Sequence, residues 1–118
     1  MTVREIQEAL GARVISGEEW LDKEVHTACG SDMMSDVLAF VKDQAVLLTG
    51  LVNPQVVRTA VMMDMRCIVF VRSKKPTAEI IELAKDSGIV LLATSKRMYE
   101  ACGILYANGL RPKEEQHV

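Results

Sequence analysis

A chain of 118 residues with 14 Lys and Arg against 16 Asp and Glu has a formal net charge of -2, which excludes the sequence-independent nucleic-acid binding that a cationic surplus supports. Its 49% apolar and 25% charged residues are the balance of an ordinary globular domain, with 4% aromatics leaving Leu, Ile, Val, Ala and Met to fill the core. No run approaches the roughly 18 apolar residues of a membrane helix, no leader-like segment opens the chain, and three Cys without a CxxC pair read as buried, reduced thiols; a cytoplasmic location away from any membrane is expected.

Thr2 with Glu5 three residues on forms a capping box, and Val3, Ile6 and Leu10 make one apolar stripe that Gly11 ends in a left-handed cap. Residues 12–15 read as a brief strand, Ser16-Gly17 as a turn, and 24–29 as an alternating strand whose Val25, Thr27 and Cys29 share a face, with Trp20 and Leu21 covering a core edge between them. Gly30-Ser31-Asp32 then offers turn and N-cap chemistry to a helix carrying Met33, Met34, Val37, Leu38 and Val41 and ending near Lys42-Asp43.

Apolar runs follow from Ala45, Cys67 and Ile89, 22 residues apart each time, with helix-like sequence in each gap. Parallel strands need crossovers of a dozen or more residues, so this rhythm predicts consecutive βαβ units with strands buried on both faces. Asn53-Pro54 starts a helix over 54–65, Pro76 opens the next, and Thr94-Ser95 caps a last helix with Met98, Tyr99, Cys102, Leu105 and Tyr106 on one side and Asn108-Gly109 as its stop. The expectation is a single domain over 1–110, a three-layer α/β/α architecture with a mainly parallel central sheet to which the early strands add an antiparallel edge, and a polar, frayed tail over 111–118.

Ligands of open α/β sheets gather beyond the carboxyl ends of the strands, where helix N-termini and unpaired N–H groups converge. The first strong strand delivers Thr49, Gly50 and Asn53 there, the second Arg72, Ser73, Lys74 and Lys75, and the third Thr94, Ser95, Lys96 and Arg97. These donors and cations suit phosphate or carboxylate, although strand-to-helix loops also carry caps and solvated charges for purely structural reasons. Gly30-Ser31-Asp32 is a further anion candidate for which N-capping is the preferred account, and Asp32 with Asp36 reads as a surface pair rather than a metal site. His26 has no Ser, Cys or Asp placed by spacing to act with it and reads as structural. Glycine-rich phosphate loops, HExxH and GxSxG are all missing, so no catalytic residues, no metal and no cofactor are expected. The helix over 54–65 carries more apolar surface than one core-facing stripe needs, which makes Val56, Met62, Met63 and Met65 a candidate homodimer interface.

The segments Thr2-Val3-Arg4-Glu5-Ile6-Gln7-Glu8-Ala9-Leu10-Gly11, Val14-Ile15-Ser16-Gly17-Glu18-Glu19, Leu47-Leu48-Thr49-Gly50 and Ala84-Lys85-Asp86-Ser87-Gly88-Ile89-Val90-Leu91-Leu92-Ala93-Thr94 together resemble the DRTGG domain family over residues 2–110. The resemblance implies kinship with the N-terminal domain of HPr kinase/phosphorylase and, more distantly, with that of the muramyl-peptide ligases. It also implies a regulatory, dimer-forming role of the kind these domains have beside CBS-containing family II pyrophosphatases or phosphotransacetylases. Stand-alone versions of this size look like accessory proteins of redox and hydrogenase systems in anaerobes. The signature departs from the family after the first strong strand, where Gly-Asp-Arg is replaced by Gly50-Leu51-Val52, and after the second, where Thr-Gly-Gly is replaced by Val71-Arg72-Ser73. Thr94 matches the family's threonine after the third.

The expected function is therefore a non-enzymatic regulatory or ligand-sensing module, homodimeric, that binds a small anionic metabolite or nucleotide at the strand ends. The alternative is a structural interaction module accessory to a partner enzyme.

Overall fold

The computed structural model describes residues 1–40 and 42–112. In chain order the elements are α1 (Val3–Leu10), β1 (Arg13–Ser16), a 3-10 turn (Glu18–Trp20), β2 (Thr27–Gly30), α2 (Met34–Leu38), β3 (Ala45–Thr49), α3 (Pro54–Met62), β4 (Cys67–Phe70), α4 (Ala78–Ser87), β5 (Val90–Ala93) and α5 (Met98–Ala107). The strands form one sheet in the order β1-β5-β4-β3-β2, parallel from β2 to β5, with β1 antiparallel on the outer edge of β5. Every residue of β3, β4 and β5 is buried, as strands covered on both faces must be.

Alternation along these strands feeds two cores. Val46, Leu48, Val69 and Leu92 pack with Val3, Ile6 and Leu10 of α1 and Ala101 and Leu105 of α5. On the other face Leu47, Ile68, Phe70 and Leu91 pack with Val37 of α2, Val56, Val57 and Ala60 of α3, and Ile80 and Ala84 of α4. The expected three-layer α/β/α arrangement with a mainly parallel sheet is thus the fold. The α1 capping box forms as read, with Glu5 N–H donating to Thr2 Oγ1 at 3.1 Å and Thr2 N–H to Glu5 Oε1 at 2.8 Å, and Gly11 closes the helix at φ 58°.

Several local expectations are corrected. α2 stops at Leu38, because Ala39 and Phe40 turn back with N–H bonds to Asp36 O and Val37 O; Val41 lies outside the described residues. Val25 and Cys29 face opposite layers, since the chain pairs with Met1 at Val25 before joining β3 at Thr27 and the alternation restarts there. Thr77, not Pro76, caps α4 by accepting Ile80 N–H at 3.3 Å. Arg97 occupies the N-cap of α5 without a side-chain bond, because the Thr94 hydroxyl is used elsewhere. Tyr99 and Tyr106 do not share the inward side of α5: they stand 94% and 50% exposed.

The interface expectation for α3 meets a physical limit. Val56, Met63 and Met65 are buried inside the subunit, where the helix and the turn after it press on the sheet and on α4, leaving Met62 with Val61 as the exposed apolar pair. In the tail, Arg111 C=O accepts the Thr27 hydroxyl at 2.8 Å and the Arg111 guanidinium lies 4.0 Å from the Tyr106 ring centroid, so the beginning of the segment is held; 113–118, also expected to fray, lie outside the described residues.

Candidate functional site

Parallel order brings the loops after β2, β3, β4 and β5 to one border of the sheet. Main-chain bonds join them. Ser31 N–H donates to Leu48 O at 3.0 Å, Arg72 N–H to Lys96 O at 2.8 Å, and Ser73 N–H to Thr94 O at 2.9 Å. Arg72 and Ser73 both sit at φ 59°, a left-handed conformation that costs non-glycine residues on the order of 1–2 kcal/mol each, and these two bonds hold them in it.

Near the centre of the border the protein supplies its own anion. The Asp32 carboxylate accepts Gly50 N–H at 2.6 Å and the Thr49 hydroxyl at 3.2 Å through Oδ1, while Oδ2 stands 3.7 Å from Arg72 Nη2. Thr49 Oγ1 accepts Leu51 N–H at 3.1 Å, and the Arg72 guanidinium occupies the space that a side chain at Gly50 would need. Thr49, Gly50 and Arg72, read as donors for an external ligand, are therefore brought together but engaged by Asp32. Asn53 stands apart as the N-cap of α3, its Oδ1 accepting Gln55 N–H at 2.7 Å.

Beyond β5 the border is open. A cleft of about 280 Å³ lies between the end of α1 and the loops after β4 and β5, walled by Ser73, Lys74 and Lys75 on one side and Thr94 and Ser95 on the other. Gly11 and Arg13 close it from the α1 side. The Thr94 hydroxyl at its floor is buried, donates to Leu10 O at 3.0 Å and accepts Lys96 N–H at 3.3 Å, fixing the end of α1 to the end of β5. Lys96 Nζ stands beside Gly11, so its charge borders the same cleft. Of the eleven residues expected at the strand ends, Ser73, Lys74, Lys75, Thr94 and Ser95 meet here with Lys96 adjacent.

Arg13 was not legible as a site residue. It reaches the border only because β1 runs antiparallel to β5, which sets Arg13 opposite Ala93 and puts the start of one strand at the end of the other. The one available signal is its position just after the Gly11 cap, at the mouth of a strand too short to be central.

Elsewhere, His26 Nδ1 lies 3.5 Å from Asp43 Oδ1 on an exposed edge. Among the described residues no three His, Cys, Asp or Glu side chains group as metal ligands. Cys67 is buried and Cys29 and Cys102 are half-buried; burial pushes all three thiols above their ordinary value, with the nearby Cys102 adding to the shift at Cys29. The outer side of α5 carries a shallow apolar groove of about 570 Å³ around Tyr99, Gly103 and Tyr106. No helix of the described residues is long and apolar enough to cross a membrane.

A mostly parallel sheet with its cationic and hydroxyl-bearing loops collected along one border is an open α/β domain, a class of fold whose ligands gather at that border. The chain belongs to the DRTGG domain family, whose profile matches residues 5–108. Among solved structures it is similar to the CBS and DRTGG domains of the regulatory region of the Clostridium perfringens pyrophosphatase, complexed with its activator diadenosine tetraphosphate, with a TM-score of 0.70 at 18% identity. That match covers 88% of this chain and 45% of the other, so this chain spans less than half of the neighbour's length. No curated protein matches the chain in sequence.

Proposed function

We propose that this chain is a non-catalytic regulatory module that senses a nucleotide-like or phosphorylated anion at the carboxyl border of its sheet and works as a homodimer. The observation that carries the reading is the joining of the loops after β4 and β5 by the Arg72-to-Lys96 and Ser73-to-Thr94 main-chain bonds, which sets Ser73, Lys74, Thr94, Ser95 and Lys96 around one opening. Cations and hydroxyls on a rigid frame favour an anion even on a slightly acidic chain. Membership of the DRTGG family and a structural neighbour that is a regulatory region bound to a dinucleotide activator support the sensing role. For the dimer, the support is apolar surface that the subunit leaves uncovered, Val61 and Met62 on α3 and Tyr99 and Tyr106 on α5.

A panel of nucleotides and phosphorylated metabolites in a thermal-shift assay tests the sensor. A ligand at 100 times its dissociation constant adds about 2.7 kcal/mol of apparent stability, and silence across every phosphorylated compound overturns the reading. Light scattering tests the assembly, for which twice the chain mass is expected.

A second reading, an assembly module accessory to a metabolic enzyme, is favoured by the α5 groove, because an apolar helix face of this kind suits a protein partner. It is distinguished by co-purification with a stable partner that survives Lys74→Ala with Lys96→Ala.

A further inference from the structure

Resting on the anion-sensing reading, we infer that the ligand is recognised through a phosphate chain held in the outer cleft by Arg13, Lys74 and Lys75, and that any nucleoside attached to it stays outside. The border has two halves of opposite character. Its inner half already holds a carboxylate, with both the Gly50 N–H and the Arg72 guanidinium turned to Asp32, so a second anion there meets like charge and finds its donors taken. Its outer half has no carboxylate among the described residues that line it.

Arg13, Lys74 and Lys75 reach the outer half from two directions, Arg13 from the edge strand and the lysines from the loop after β4, and Lys96 borders it near Gly11. All of the first three are exposed, so none is committed to the core. Cations converging on one small concavity match successive phosphates, each offering several acceptor oxygens, better than a single carboxylate.

The same walls argue against a base. The lining residues include no aromatic ring for stacking, and the apolar contribution is Ala93 and glycine. About 280 Å³ is just below the usual size of a pocket that encloses a whole small ligand. Ser73 and Ser95 supply hydroxyls on the two loop walls, which again suit phosphate oxygens.

Isothermal titration calorimetry of the full chain with inorganic tripolyphosphate, ATP and adenosine tests this. Tripolyphosphate and ATP are expected to bind within a few-fold of each other, with adenosine giving no heat. Arg13→Ala with Lys75→Ala is expected to weaken tripolyphosphate by about tenfold or more, while Arg58→Ala on the exposed side of α3 leaves it unchanged. All of these positions are exposed, so the variants fold, and their melting curves without ligand check that. Adenosine binding, or tripolyphosphate binding that survives the double variant, overturns the phosphate-chain cleft while leaving anion sensing intact; no binding of any phosphorylated compound to the unaltered chain overturns both.

Discussion

The Asp32 carboxylate meets the backbone N–H of Gly50 at 2.6 Å, across the gap between the loops after β2 and β3. Removing it by Asp32→Ala leaves the buried Gly50 N–H and Thr49 hydroxyl without their acceptor and Arg72 without its partner. The expected loss is about 1–2 kcal/mol, mostly from the hydrogen bonds, since the half-exposed ion pair at 3.7 Å contributes only on the order of 0.5 kcal/mol. Urea unfolding of Asp32→Ala beside Asp32→Asn, which keeps an acceptor oxygen and loses less, measures it.

Two glycines separate conformational need from space. Gly17 lies at φ 90° and a Cβ there comes 3.0 Å from Val90 Cα, so Gly17→Ala is expected to cost about 1–3 kcal/mol. Gly50 needs no left-handed φ, and its added Cβ meets the far end of Arg72, which swings aside. Gly50→Ala is therefore expected to stay within about 1 kcal/mol of the parent while breaking the Asp32–Arg72 pair. Thermal melts rank the two, and a smaller cost for Gly17→Ala contradicts the assignment.

Thr59 is fully buried in α3 and its hydroxyl has no hydrogen-bond partner, as is also true of Ser16 among the described residues. Thr59→Val keeps the branched shape and removes an unsatisfied polar atom. A gain of about 1 kcal/mol is expected, raising the melting midpoint by roughly 4 °C.

Burial raises the folded-state pKa of Cys67 above its ordinary 9.0. The unfolded chain therefore releases this proton first as pH rises. Stability is undiminished below pH 9.0 and falls above it, by up to about 1.4 kcal/mol per pH unit for one fully buried thiol. Cys67→Ala is expected to flatten that alkaline limb in denaturant titrations. Alkylation followed by mass spectrometry should label the half-buried Cys29 and Cys102 first and reach Cys67 only on unfolding.

What the sequence made legible depends on how local the controlling contact is. The strands from Ala45, Cys67 and Val90 declared themselves because burial on both faces demands unbroken apolar runs. The α1 capping box is likewise a three-residue affair. Asp32 as the partner of Gly50 was hidden because the contact exists only if β2 lies beside β3, and the pairing of Gly30 with Leu48 is a fact of strand order. Arg13 was hidden for the same reason at the opposite edge. The apolar surplus of α3 misled because Met63 and Met65 lie beyond the helix end and fold under it, where a helical wheel no longer describes them.

The edge pairing of β1 with β5 also sets an order of events during synthesis. α1 and β1 are translated well before β5, and Arg13 waits for Ala93 and Leu10 O for the Thr94 hydroxyl, 84 residues on. At about 5–20 residues per second that is a delay of several seconds before β1 meets its partner strand. The later strand of the pair is thus the one that fastens the earlier, and the cleft between them comes into being at that moment.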